Sequence, residues 1–157
     1  VLTPDMFVDN AGTEINAYET TTLTLYFANE EGNMLISEKR EVEYHSNISL
    51  ERIVMEQLLL GPEKNGSYPV VNPQTDVVSI TVKDGICYVN FDEKFLINTV
   101  AIDPYITVYS LVNSIVESGT ATKVQILVNG EANVKYHETI DLSQPFSRNL
   151  EMIEEEE

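Results

Sequence analysis

VVSITVKDGICYVNFDEKF, residues Val77–Phe95, is the stretch that decides the fold. Two apolar runs, Val77–Val82 and Ile86–Phe91, flank Asp84-Gly85. A two-residue Asp-Gly link between alternating runs is a strong hairpin signal, because a type I′ turn needs positive φ at both central residues. Side chains repeat every second residue along a strand. Val78, Ile80 and Val82 are therefore expected on one face of the first strand, and Cys87, Val89 and Phe91 on one face of the second. Such a hairpin is marginal by itself in water and needs further strands or a packed helix.

Both neighbours in sequence supply a helix. Upstream, Ser49 precedes LERIVMEQLLLGP, with Glu51 in the first turn and Gly61-Pro62 as terminator. Leu50, Ile53, Val54 and Leu58 form the inward stripe, with Gln57 at its margin. Downstream, Asp103-Pro104 starts a second helix whose Val108, Leu111, Val112 and Ile115 recur at helical spacing before Gly119 closes it. Lys123–Asn129 follows as a buried strand, expected to lie parallel to a hairpin strand through a right-handed crossover.

In front of the first helix stand two more strands, Thr21–Ala28 and Met34–Tyr44, joined by a turn at Asn29–Asn33. The charged stretch Glu38–Glu43 reads as an edge defended against aggregation. Residues 1–20 read as a linker or arm, residues 21–137 as the domain, and residues 138–157, ending EEEE, as a frayed acidic tail. The expected fold is α+β, with two helices on one face of a mixed sheet of about four to five strands.

With 26 acidic against 9 basic residues, the chain carries a formal charge of −17. That field repels nucleic acid and anionic lipid surfaces, leaving basic partners, divalent cations or plain solubility. One cysteine excludes an internal disulfide and any multi-cysteine metal site, and Cys87 reads as a small core hydrophobe. No run of residues is long and apolar enough to be a membrane span. The chain opens VLTPDMF without an initiating methionine, which is expected where a leader lies upstream.

Chemistry candidates are few. Asp92-Glu93 at the end of the hairpin could act as acid or base, but capping and solvation of the following loop is the simpler reading. Phe91 and Phe95 are the aromatics that could stack a sugar beside them, and both read as core. His45 and His137 lie far apart in sequence and no G-x-S-x-G elbow is present. Ser110, Ser114 and Ser118 share a helix face at spacings of four, which points to a polar or closely packed side. No calcium loop and no glycine-rich phosphate loop occur. Asn47-Ile48-Ser49 and Asn65-Gly66-Ser67 match the glycosylation triplet, a pattern common by chance. Eight tyrosines and no tryptophan suit half-buried sheet margins or an interface.

Leu25-Tyr26-Phe27, the LLLGP ending at Leu58–Pro62, DGICYVNFDEKF, VYSLVNSIVESG (Val108–Gly119) and KVQILVNG (Lys123–Gly130) together resemble the GerM domain. The resemblance covers residues 21–137, and its most specific parts are LLxGP and the D-G-x-x-x-V-[ND]-F strand. The chain departs from the pattern in a long loop after LLLGP and in Asn90-Phe91-Asp92, where Asp-Phe-Ser is frequent. The resemblance implies a protein of spore-forming bacteria, acting in sporulation or germination, extracytoplasmic and anchored as a lipoprotein through residues outside this chain. It further implies a strand order similar to that of ring-building modules, and it implies no enzymatic activity or cofactor.

The expected function is a non-catalytic protein-interaction module of the cell envelope, docking through a sheet edge or helix face. Its expected partners are envelope or sporulation-complex proteins or a second copy, with no nucleic acid. A peptidoglycan-binding module, or a weak glycan hydrolase using Asp92 and Glu93, is the alternative.

Overall fold

The computed structural model describes residues 17–97 and 99–155. Residues 1–16 of the expected arm 1–20 therefore lie outside the described residues, as do Glu156 and Glu157 of the expected tail, while Tyr18–Thr20 of that arm are strand. Chain order is β1 (Tyr18–Ala28), β2 (Leu35–His45), α1 (Leu50–Leu60), β3 (Val77–Lys83), β4 (Ile86–Phe91), α2 (Pro104–Glu117) and β5 (Lys123–Val128). Three two-residue strands follow: β6 (Lys135–Tyr136), β7 (Ile140–Asp141) and β8 (Phe146–Ser147).

The hairpin forms as its turn chemistry dictates. Asp84 and Gly85 have φ of 55° and 80°, and Lys83 pairs with Ile86 across them. β4 then pairs in parallel with β5, and the mixed sheet runs β3-β4-β5-β8. Cys87, Val89 and Phe91 are buried as expected, opposite Val124, Ile126 and Val128. The facing strand is different. A register shift between Val77 and Ser79 turns Val78 out to 57% exposure, while Val77 pairs with Phe91 and packs on the core. Val82 lies at the open end of this edge strand and is also exposed, so Ile80 is the one member of the expected trio that is buried.

Both helices start where the caps place them. Ser49 Oγ accepts from Arg52 N at 3.3 Å, and Asp103 Oδ1 accepts from Tyr105 N at 3.0 Å. α1 packs against α2, β1 and β3, so its buried face is wider than the expected stripe. Glu51 and Met55 are buried along with Ile53, Val54 and Leu58, and Leu50 is half-buried. In α2 every residue from Ile106 to Ile115 except Tyr109 is buried.

β1 and β2 form a separate antiparallel pair, and β1 begins at Tyr18, earlier than the expected Thr21. Along its other side β1 meets α2 instead of a strand. Tyr26 N donates to Ser114 Oγ at 3.0 Å, and Ser110 Oγ donates to Tyr26 O at 2.5 Å. The two helix serines thus stand in for a strand partner at a buried edge, where an unmet backbone group is costly. On β2 the charged stretch is not wholly a solvated edge. Period-two alternation points Glu38, Arg40 and Val42 inward and leaves Lys39, Glu41 and Glu43 outside.

The C-terminal segment is docked rather than frayed. Ile140 and Leu142 are buried, β8 pairs with β5, and Glu154 N donates to Leu35 O at 2.7 Å. The side-chain amide of Asn113 on α2 binds the backbone of Asn149 at both its N–H and its C=O, each at 2.9 Å. Sparse apolar residues in a polar context, Ile140, Leu142, Phe146 and Ile153, are what hold this segment to the core.

Candidate docking cleft

Three consecutive leucines close α1, and helical geometry cannot turn all of Leu58, Leu59 and Leu60 inward. Leu58 is fully buried, Leu59 is half-buried, and Leu60 is left 75% exposed. Gly61 then leaves the helix at φ 92°, a conformation that suits glycine, and the chain turns away beside Leu60.

Leu60 borders a cleft of about 470 Å³ whose walls include Leu59, Val71, Pro73 and Val100. A second hollow of about 210 Å³ adjoins it, sharing Pro69 and Val100 and reaching Tyr68, Ile102 and Glu30. Tyr68 is also substantially exposed. Most of the lining is apolar, in the manner of binding surfaces rather than scattered surface leucines.

The walls are pinned by main-chain bonds. Arg40 holds the end of α1, donating from Nη1 to Gln57 O at 3.2 Å and from Nη2 to Gly61 O at 2.9 Å. Glu38 receives the backbone N–H groups of Glu63 and Lys64, each at 3.1 Å. Burial alone raises the Glu38 pKa, but hydrogen bonds from Arg40, Lys64 N and Glu63 N outweigh it and leave the pKa lowered. Across the cleft, Tyr68 and Ala28 exchange backbone bonds of 2.9 and 3.1 Å. Thr107 Oγ1 donates to Val70 O at 2.6 Å, and Asn72 Nδ2 to Lys94 O at 3.0 Å. Gly32 accepts from Asp103 N at 2.9 Å and sits so close to Ile102 that a Cβ there would lie 3.0 Å from its Cγ2.

The residues singled out for chemistry do not converge. Asp92 Oδ1 accepts from Lys94 N at 3.2 Å and Asp76 N at 3.1 Å, capping the short 3-10 turn Glu93–Leu96. Glu93 accepts from Asn129 Nδ2 at 3.0 Å, and that bond lowers its pKa. Phe91 and Phe95 are buried and stacked on each other at 4.5 Å, with Tyr136 continuing the stack, so neither flanks these acids at the surface. His45 contacts the ring of Tyr18, and His137 that of Tyr136. Among the described residues no three His, Cys, Asp or Glu side chains are grouped to hold a metal ion. A polar hollow of about 540 Å³ lies over Glu38, whose carboxylate is already engaged by Arg40 and the loop. Sequence reasoning took LLLGP as a helix end and missed the cleft; the signal available was the third leucine.

A family model described as Germane, sporulation and spore germination, matches residues 24–134. The chain belongs to this sporulation and spore germination family. Solved structures share its fold. A protein described as a lipoprotein from Clostridium perfringens superposes with a TM-score of 0.58 at 22% identity, over 85% of this chain and 91% of that one. The tandem GerMN domains of the sporulation protein GerM from Bacillus subtilis give 0.66 at 21% identity, over 90% of this chain and 48% of the tandem. The first GerMN domain alone gives 0.63 at 19% identity, over 79% of this chain and 98% of that domain. No curated protein matches the chain. The Germane match and the fold agree with the GerM-like resemblance, and the α+β arrangement of two helices with a mixed sheet is that of the GerMN structures.

Proposed function

We propose that this chain is a non-catalytic protein-docking module of the bacterial cell envelope, acting in sporulation or spore germination. The observation that carries the reading is the preformed apolar cleft beside Leu60, whose walls are held by backbone hydrogen bonds and whose rim leaves a large aliphatic side chain 75% exposed. A surface of this kind suits a protein anchor residue better than a polar substrate. Family membership supports the cellular setting. The lipoprotein description of the Clostridium perfringens relative supports an envelope location reached through an anchor outside these residues. Among the described residues no helix is long and apolar enough to cross a membrane.

The test is capture of detergent-solubilised envelope proteins on the immobilised chain, read by mass spectrometry beside a Leu60→Asp variant. A specific envelope protein retained by the native chain and lost from the variant supports the proposal. Equal retention by both, or none by either, counts against it. Scrambling Lys39–Glu43 is a poor control, because Arg40 and Val42 are buried and the variant would lose its fold.

A further inference from the structure

The cleft is apolar, but its surroundings are acidic. Among the described residues no lysine or arginine lines either hollow, whereas Glu30 does. Glu56 is exposed one turn before Leu60 on α1, and Glu31 and Asp103 are exposed beside the Glu30 end, whereas Glu63, three residues after Leu60, lies 3.7 Å from the Arg40 guanidinium and is followed by the exposed Lys64. The whole molecule carries −17. Charges around an apolar recess choose the partner and steer its approach, while the recess itself supplies the anchoring contact.

We infer that the cleft takes an aliphatic side chain from a lysine- or arginine-bearing segment of another protein. This rests on the docking reading above and names the chemistry of its partner. A second copy of the chain fits poorly, since it would bring a further −17 toward the same rim. An anionic lipid surface meets the same repulsion. A cationic segment gains from both parts of the site: its aliphatic residue fills the space between Leu60, Val71, Pro73 and Val100, and its cations lie against Glu30 and Glu56. The pairs at such a rim are solvent-exposed, so they act mainly on association rate and salt dependence.

The experiment is selection of a random 12-residue phage-displayed peptide library on the immobilised chain, followed by fluorescence anisotropy of the recovered peptides. The expected peptides are enriched in Lys or Arg beside Leu, Ile or Val. They bind the native chain at least tenfold tighter than Leu60→Asp and at least threefold tighter than Glu30→Lys/Glu56→Lys, and they weaken as salt rises. Both variants change exposed side chains, and circular dichroism confirms that they fold. Peptides indifferent to Leu60→Asp overturn this inference and leave docking to another surface; peptides lost on Leu60→Asp but neutral or acidic overturn it while leaving the cleft as the docking site. Failure to enrich any peptide overturns it too, and the docking proposal then stands or falls on the envelope-protein capture alone.

Discussion

Arg40 and Glu38, two residues apart on β2, form an ion pair inside the protein: Nη2 lies 2.5 Å from Oε2, with the side chains 5% and 6% exposed. Each also holds something else in place, Arg40 the last carbonyls of α1 and Glu38 the N–H groups after Pro62. The pair therefore sets the angle at which the chain leaves α1 and opens the cleft.

Removing one partner strands the other. Arg40→Met leaves a buried carboxylate and two unmet carbonyls, and should cost about 3–5 kcal/mol in denaturant unfolding. Glu38→Gln/Arg40→Met should recover part of that loss. A double variant no better than Arg40→Met would show that the buried charge is not the source of the penalty.

The same carboxylate gives a pH signature. Glu38 titrates lower in the folded state than the ordinary 4.5, so its contribution is fully present above pH 4.5 and is lost as the pH falls through the folded pKa. The gap in melting temperature between the native chain and Glu38→Gln should be constant from pH 6 to 7 and narrow below pH 4.5. A gap unchanged down to pH 3 would contradict the assignment.

The serine pair on α2 makes a sharper comparison. Ser110→Ala and Ser114→Ala each leave a buried backbone group of Tyr26 without its partner, and each should cost about 1–3 kcal/mol. Ser118 donates within its own helix end, to Ile115 O, and is only half-buried, so Ser118→Ala should cost less than about 1 kcal/mol. Equal losses at all three positions would mean that the serines merely suit the helix surface.

Cys87 should be silent to reagents while the chain is folded. Burial, with Glu51 nearby, pushes its thiol up to about 12, so little thiolate exists at pH 8. Labelling by a disulfide reagent at pH 8 should be slow in buffer, complete in 6 M guanidinium, and in between should follow the unfolding curve.

How much of this was legible in the sequence depends on whether a signal was local. The Asp84-Gly85 turn, the Ser49 and Asp103 caps and the α2 stripe are set by neighbours in sequence, and all stand where the residues placed them. Val78 was misplaced because a bulge shifts the period by one, and no residue type announces it. Glu38 and Arg40 looked like surface because charge outweighed their alternation with Val42; the inward partner, the end of α1, is distant in sequence. The cleft is assembled from four separate stretches, so only Leu60 hinted at it.

The segment after Tyr136 offers the most direct check, because composition and structure disagree about it. Ending the chain at His137 removes Ile140 and Leu142 from the core, together with Phe146, Met152 and Ile153 from its margin. Two fully buried aliphatics alone are worth about 3–6 kcal/mol. The truncation also strips the Leu142 carbonyl from the buried amide of Gln125, which donates to it at 2.7 Å, and the Asn149 backbone from Asn113. That loss is a large share of the roughly 5–15 kcal/mol that a domain has. The truncated chain should be insoluble, or melt at least 10 °C lower at about 2–4 °C per kcal/mol. A chain ended at Ser143 keeps Ile140 and Leu142 and should fall between the two. Were the His137 truncation to melt with the native chain, the segment would be an unattached tail after all.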